Sequence, residues 1–392
     1  MPAQFYAPTT ALEVQSPQVS LLTHGRLSLR YLYNHPRMPT RVRSYSKINL
    51  GLAVGPTRPD GFHGLATVYQ TLALHDFVTV TAHPAPRTTI TLSADHHWVP
   101  RTEAGNASRN TAWKIVAAAL DRLDLTAEVH IDIQKRLPVQ GGMGAGSANA
   151  AAALIGLEHE LKMQLPPDAR FRLAAVTGSD VPLFLVGGTV LGTGRGEQVS
   201  PLPDFPPTYC VIALPKVGVS TPQAFRDLDR RMAEAQRLTS ILSVDKLEKL
   251  SRVLALVFTT VGIESGASGI SRTARPNSSF GTPSTEDYGT AIDLAENTLL
   301  ALVRTGIEND FEEVAFSQHP FLRDLKRQLM GSDSGSPALY AALSGSGSAL
   351  FGLYRSQTDA FAAQHRVQST GTQAILTETL PRSVYWNEMF AE

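Results

Sequence analysis

The clearest alternation in the chain starts at Val42. In "VRSYSKINLGLAV", Ile48, Leu50, Leu52 and Val54 fall on one face and Tyr45, Lys47, Asn49 and Gly51 on the other, as in a strand. "TRPDGFHG" follows, and its Pro-Asp-Gly is a turn signal: a fixed φ, a side chain that caps its own backbone, and a residue free to take positive φ. "LATVYQTLAL" and "DFVTVTA" read as two further strands. Helical spacing takes over in "RNTAWKIVAAALDRL", with Ser108 as its cap and Trp113, Val116, Ala117 and Leu120 on its apolar side. "AEVHIDIQKRL" is a strand feeding a glycine-rich loop, and an alanine-rich helix follows to about Lys162. Asp168 then caps a short helix before "TGSDVPLFLV", whose end reads as an apolar strand.

After about Pro207 the pattern restarts with a strand, "TYCVIAL", and helices from Thr221 and Ser243. Residues 261–288 are rich in Gly, Ser, Thr and Pro and read as a flexible insertion. Helices are expected from Thr290 and near Gln318 to Leu329, and "ALSGSGSALFGLY" puts a small-residue turn between two apolar runs. The simplest organisation is two α+β halves, 38–205 and 206–392, after a leader at 1–37 that is disordered or dispensable.

That leader has no clear period, several Pro and Arg residues, and Glu13 as its only acid. It reads either as an organelle transit peptide or as sequence ahead of a true start at Met38. The balance of 35 basic and 35 acidic residues, without a dense Lys/Arg cluster, argues against a nucleic-acid or anionic-membrane surface. Cys210 is the only cysteine, so no disulfide framework or thiolate metal site is expected. No apolar run approaches the roughly 18 residues of a membrane helix. A cytoplasmic protein follows, or a plastid-stroma one if the leader is a transit peptide; monomer and homodimer both stay open.

Candidate chemistry centres on "LPVQGGMGAGSANAAAAL". Glycines let a ligand lie against bare N–H groups, and Ser147 begins a helix whose N-terminal partial charge favours an anion. No lysine follows Gly146 as in a G-x-x-x-x-G-K-[ST] loop, and Ser147 stands where a dinucleotide fingerprint wants its third glycine. Asp180 sits in a Gly-Ser-Asp-Val-Pro turn, and Lys47 shares a strand face with Asn49. Phe62 and His63 pair a flat ring with a hydrogen-bonding one, which suits a pyrimidine. "HELKM" has Met163 where a zinc helix needs a second His, so His159 belongs to a solvated helix face; His96 and His97 lie in a loop, and "GIENDFEE" is an exposed helix end.

The glycine loop, the late "SGSGSALFGLY" and the early "YSKINLGLAV" resemble, in order and spacing, the three motifs of the GHMP kinases. Lys-Ile-Asn followed by Pro-Asp-Gly-aromatic-His is most similar to the branch acting on 4-diphosphocytidyl-2-C-methyl-D-erythritol, in the non-mevalonate isoprenoid route. The resemblance implies an α+β, two-domain fold: an N-terminal ribosomal-protein-S5-like, ATP-binding domain and a C-terminal ferredoxin-like α/β domain. It also implies ATP and Mg²⁺, with phosphorylation of the substrate's 2-hydroxyl. Asp180 would be the base and Lys47 its charge-stabilising partner; Asn49, Phe62 and His63 would bind substrate, the last two holding the cytosine. Asn110 and Lys135 would lie near the adenine, with Pro138, Val139, Gln140, Gly141, Gly142, Met143, Gly144, Ala145, Gly146, Ser147 and Ala148 around the phosphates and Ser147 beside the metal. Gln140, Ala145 and Ala148 depart from the family's two glycines and a serine, and Ala148 removes a hydroxyl. The alternatives are another small-molecule kinase of the family, of mevalonate or homoserine type, or a non-catalytic ligand-binding member.

Overall fold

A long antiparallel hairpin carries the first half of the molecule. Strand β1 (Thr40–Thr57) turns at 58–62 into β2 (His63–Pro84). Gly61 takes a φ of +79° in that turn, and Asp60 accepts the Phe62 N–H at 3.1 Å. The computed structural model describes residues 38–138, 141–238 and 308–392. The leader, the insertion and the helices expected from Ser243 and Thr290 lie outside these.

The hairpin is joined by β3 (Thr89–Ala94), β4 (Ala127–Gln134), β5 (Thr189–Thr193) and β6 (Gln198–Pro201). With the final β11 (Phe390–Ala391) they form a seven-stranded sheet ordered β11-β1-β2-β4-β3, with β5 on β2 and β6 on β5. A four-stranded antiparallel sheet takes β7 (Tyr209–Leu214), β8 (Tyr340–Leu343), β9 (Leu350–Tyr354) and β10 (Gln373–Glu378) in the order β10-β7-β9-β8. Helices α1 (Thr111–Arg122), α2 (Ala145–Leu161) and α3 (Pro167–Thr177) belong to the first half. Helices α4 (Thr221–Leu238), α5 (Glu312–Gln318), α6 (Phe321–Met330) and α7 (Gln357–Gln368) follow, and α8 (Arg382–Asn387) leads back to β1 through β11. No helix among the described residues is long and apolar enough to cross a membrane.

Several elements differ from the sequence reading. The two strands expected over 65–82 are one, because its polar centre is not a break: Asp76 is fully buried and ion-paired to Lys135. The stripe on β1 is split by an irregularity around Leu50, which resets the alternation. Ile48 and Leu50 pack with Met143 and Phe351, whereas Leu52 and Val54 join Phe311 and Leu343. Asn110, not Ser108, caps α1, accepting the Ala112 N–H at 2.9 Å, because Ala107–Arg109 already forms a tight turn. The face α1 buries is Ala112, Ile115, Val116, Ala119 and Leu120, leaving Trp113 and Ala117 only partly covered. Pro166 rather than Asp168 precedes α3.

"PLFL" is not a strand. Pro182 opens a single 3₁₀ turn whose four side chains are all buried, and Gly187 and Gly188 at positive φ end it. "GIENDFEE", whose first two residues lie outside the described ones, is exposed only in part: Glu308 and Glu313 are, but Asn309 is 3% exposed and bridges to Leu52 of β1. On α2, His159 is exposed as expected, but the neighbouring Glu158 is buried against Arg170 at 3.0 Å.

Candidate functional site

Strand β1 brings Lys47 and Asn49 to the centre of the molecule, 2% and 1% exposed. The Lys47 ammonium donates to Asn49 Oδ1 at 2.6 Å and to the Gly142 carbonyl at 2.7 Å. Its carboxylate partner is Asp180, 3.5 Å away and 31% exposed. Burial pulls the Lys47 pKa below its ordinary value, and the Asp180 carboxylate opposes that shift. The Asn49 amide is spent at both ends, since its nitrogen donates to Thr67 Oγ1 at 2.8 Å and Thr67 in turn donates to Gly51 O. Asn49 therefore holds the lysine rather than reaching outward for a substrate.

Tyr69 was not singled out by sequence. It faces the same point from β2 and donates its hydroxyl to Asp180 Oδ1 at 3.0 Å. Burial, then the Asp180 charge, push its pKa well above the usual phenol value, so it stays a donor. The only available signal was period-two alternation on β2, which places Tyr69 and Thr67 on one face.

The glycine loop lies over the lysine. Lys47 N–H donates to Met143 O at 3.1 Å, and Ser344 Oγ and the Lys47 ammonium share the Gly142 carbonyl. Gly142 has a φ of +76°, and a Cβ there would meet the Ser344 carbonyl oxygen at 2.0 Å. Gly144, at +73°, precedes α2 directly, and a Cβ there would lie 3.1 Å from Lys47 Cγ. Helix α2 begins at Ala145, two residues before the expected Ser147, so alanine there sits in helical backbone and costs the loop no freedom. Ala148 does not reach the cleft. It is 2% exposed within the apolar core, where a hydroxyl would face core rather than ligand. Val139 and Gln140 lie outside the described residues.

A pocket of about 380 Å³ runs along this loop, lined by Pro138, Gly141 to Ser147, Asn110, Lys135 and Trp98. Of these, Asn110 serves as the α1 cap, and Lys135 is ion-paired to the buried Asp76. Asp76 also accepts the N–H groups of Arg136 and Leu137, each at 2.7 Å, and so pins the chain just ahead of the loop. Across the loop, Asn309 donates to Leu343 O and Gly345 O at 2.9 and 2.7 Å, fixing the second small-residue turn. Neither Asp76 nor Asn309 carried a motif that sequence could read.

Phe62 and His63 part company in the structure. Phe62 is 51% exposed, with the Arg195 guanidinium 4.7 Å from its ring centre. His63 turns inward, Nδ1 at 2.9 Å from Gly55 O and Nε2 at 3.3 Å from Asp229 of α4, while its ring stacks on Phe225 at 5.0 Å.

The arrangement can hold a polyphosphate on the unpaired N–H groups that open α2 while Asp180 accepts a proton beside it. Among the described residues no three His, Cys, Asp or Glu side chains cluster as a metal site. Mg²⁺ keeps waters and phosphate oxygens as ligands and needs only one or two protein oxygens. Ser147 lines the pocket, its Oγ 3.7 Å from where a Cβ on Gly178 would sit, two residues before Asp180.

Comparison with known proteins bears on this geometry. Residues 110–188 match the model of the GHMP kinases N terminal domain, and residues 291–373 that of GHMP kinases C terminal. A 4-diphosphocytidyl-2-C-methyl-D-erythritol kinase of Solibacter usitatus is 34% identical over 82% of this chain and 83% of its own. One from Rhodococcus jostii is 44% identical over 50% of this chain and 61% of its own. A crystal structure of a 4-(cytidine 5'-diphospho)-2C-methyl-D-erythritol kinase shares the fold, with a TM-score of 0.56 and 24% identity over 86% of this chain and 98% of that one.

Proposed function

This chain belongs to the 4-diphosphocytidyl-2-C-methyl-D-erythritol kinases of the GHMP superfamily, and from that premise we propose how its residues phosphorylate that substrate's 2-hydroxyl with ATP. Asp180 accepts the hydroxyl proton as the oxygen attacks the γ-phosphorus. The bond from that phosphorus to the bridging oxygen breaks, and ADP and the 2-phosphate ester result. Tyr69 and Lys47 hold the Asp180 carboxylate from two sides, at 3.0 and 3.5 Å. Lys47 places its charge beside the Gly142 carbonyl, where negative charge on the transferring group would otherwise be unshielded. The amides from Gly142 to Ser147 and the N-terminus of α2 hold the polyphosphate. A bound Mg²⁺ would neutralise charge on the phosphates, with Ser147 the protein oxygen best placed to hold it.

His63 and Phe225 form the cytosine subsite. Nδ1 is anchored on Gly55 O, and the base edge takes the place of Asp229, itself 45% exposed, at Nε2. Arg195, stacked on Phe62, offers the substrate diphosphate a cation.

The observation that carries this reading is Asp180 held by Lys47 and Tyr69 beside the amide cradle. It is tested by offering the purified protein ATP with mevalonate, homoserine or the cytidylated methylerythritol and following ADP. Release with the cytidylated alcohol alone supports the reading; release with mevalonate or homoserine instead refutes it.

A further inference from the structure

The amides of the nucleotide pocket are assigned to the phosphates, which leaves the rest of its lining for the base. That lining includes an indole that nothing in the fold explains. Trp98 lines the pocket and is 71% exposed, although aromatic rings of this size are among the groups that gain most from burial. The chain has three tryptophans. Trp113 and Trp386 are tied into the fold, their indole N–H groups donating to Ile90 O at 3.2 Å and Val186 O at 2.9 Å. Among the described residues the Trp98 indole N–H has no such tie. Among the described residues its one ring–ring contact is His97, 5.4 Å away and tilted by 43°, which itself stacks on His96 at 4.9 Å. The turn carrying it is nonetheless anchored, since the next residue, Val99, is 8% exposed and its N–H donates to His96 O at 3.1 Å. A fixed turn presenting a largely exposed aromatic ring in the lining of a nucleotide pocket is the arrangement that base stacking requires.

We infer that Trp98 is the stacking platform for the adenine of ATP, and through it a determinant of base choice. The inference rests on the kinase reading and adds a residue to it. A purine overlaps an indole more fully than a pyrimidine does, so the platform favours ATP over CTP. It thereby helps keep the cytidylated substrate out of the wrong pocket.

Calorimetric titration with ADP, CDP and inorganic tripolyphosphate tests this on the wild type, Trp98→Ala and Trp98→Phe. Stacking of one base on an aromatic side chain corresponds to roughly 5- to 150-fold in affinity. The Trp98→Ala protein should therefore bind ADP that much more weakly, bind tripolyphosphate as before, and discriminate less between ADP and CDP; Trp98→Phe should recover most of the loss. ADP should also quench indole fluorescence in the wild type and not in Trp98→Phe. Unchanged ADP affinity in Trp98→Ala overturns the platform alone, as does an equal loss of ADP and tripolyphosphate, which would mark Trp98 as holding the turn. A wild type that binds neither ADP nor tripolyphosphate overturns the kinase reading itself.

Discussion

Lys47 shows how a residue's surroundings set its chemistry. Its ammonium is buried, which lowers its pKa, and the Asp180 carboxylate is the chief influence keeping the proton on. Replacing Asp180 by Asn removes that influence, so Lys47 should lose its proton at lower pH, and the alkaline limb of residual activity should move down the pH scale. A pH–rate profile of the variant checks the sign. For the cytosine subsite, Phe225→Ala should raise KM for the cytidylated substrate about tenfold, through loss of a stack on His63, with KM for ATP unchanged. Steady-state kinetics with each substrate varied in turn would show it. Lys47, Asp180 and the glycines were legible because each stands in a short motif. Tyr69, Asp76 and Asn309 were not, because their partners lie 34 to 111 residues away. Nothing local marks such a residue.

Among the elements, the glycine loop is under the tightest constraint. Gly142→Ala must place a Cβ 2.0 Å from the Ser344 carbonyl oxygen at a φ of +76°. It should raise KM for ATP at least tenfold and lower stability by about 1–3 kcal/mol, measured by kinetics and urea unfolding. Asn309→Ala should act on the facing turn. Losing the donors to Leu343 O and Gly345 O leaves two buried carbonyls less well satisfied, at about 1–3 kcal/mol in the same unfolding assay. Composition more than periodicity made α2 readable, as an alanine-rich run after glycines, and the β8–β9 hairpin, as two apolar runs around small residues; both are largely buried on every side. The failures fall where tertiary burial overrides local signals. Asp76 in mid-strand looked like a break because its ion pair is invisible in sequence, and "PLFL" looked like a strand because four buried apolar residues suit either state.

At the scale of the whole molecule, the two sheets meet at the cleft. The first supplies Lys47 and Tyr69; the second, through the turn between β8 and β9, presses Ser344 and Ala349 against the glycine loop. The end of the chain then closes the first sheet. Tyr385 is 2% exposed, lies 5.0 Å from Tyr45 and donates to Phe184 O at 2.6 Å, just behind the Asp180 turn. Tyr385→Ala should cost about 3–5 kcal/mol in urea unfolding, since it empties a core site and orphans a carbonyl. That a segment so late in sequence belongs to the first sheet had no local signature, because two residues of pairing in β11 carry too little pattern. The central claim, that a carboxylate beside the amide cradle prepares the alcohol, is tested most directly by single-turnover phosphoryl transfer in Asp180→Asn with ADP affinity measured alongside. The account predicts a rate roughly 100- to 10,000-fold lower with ADP binding preserved; transfer at close to the wild-type rate would contradict it.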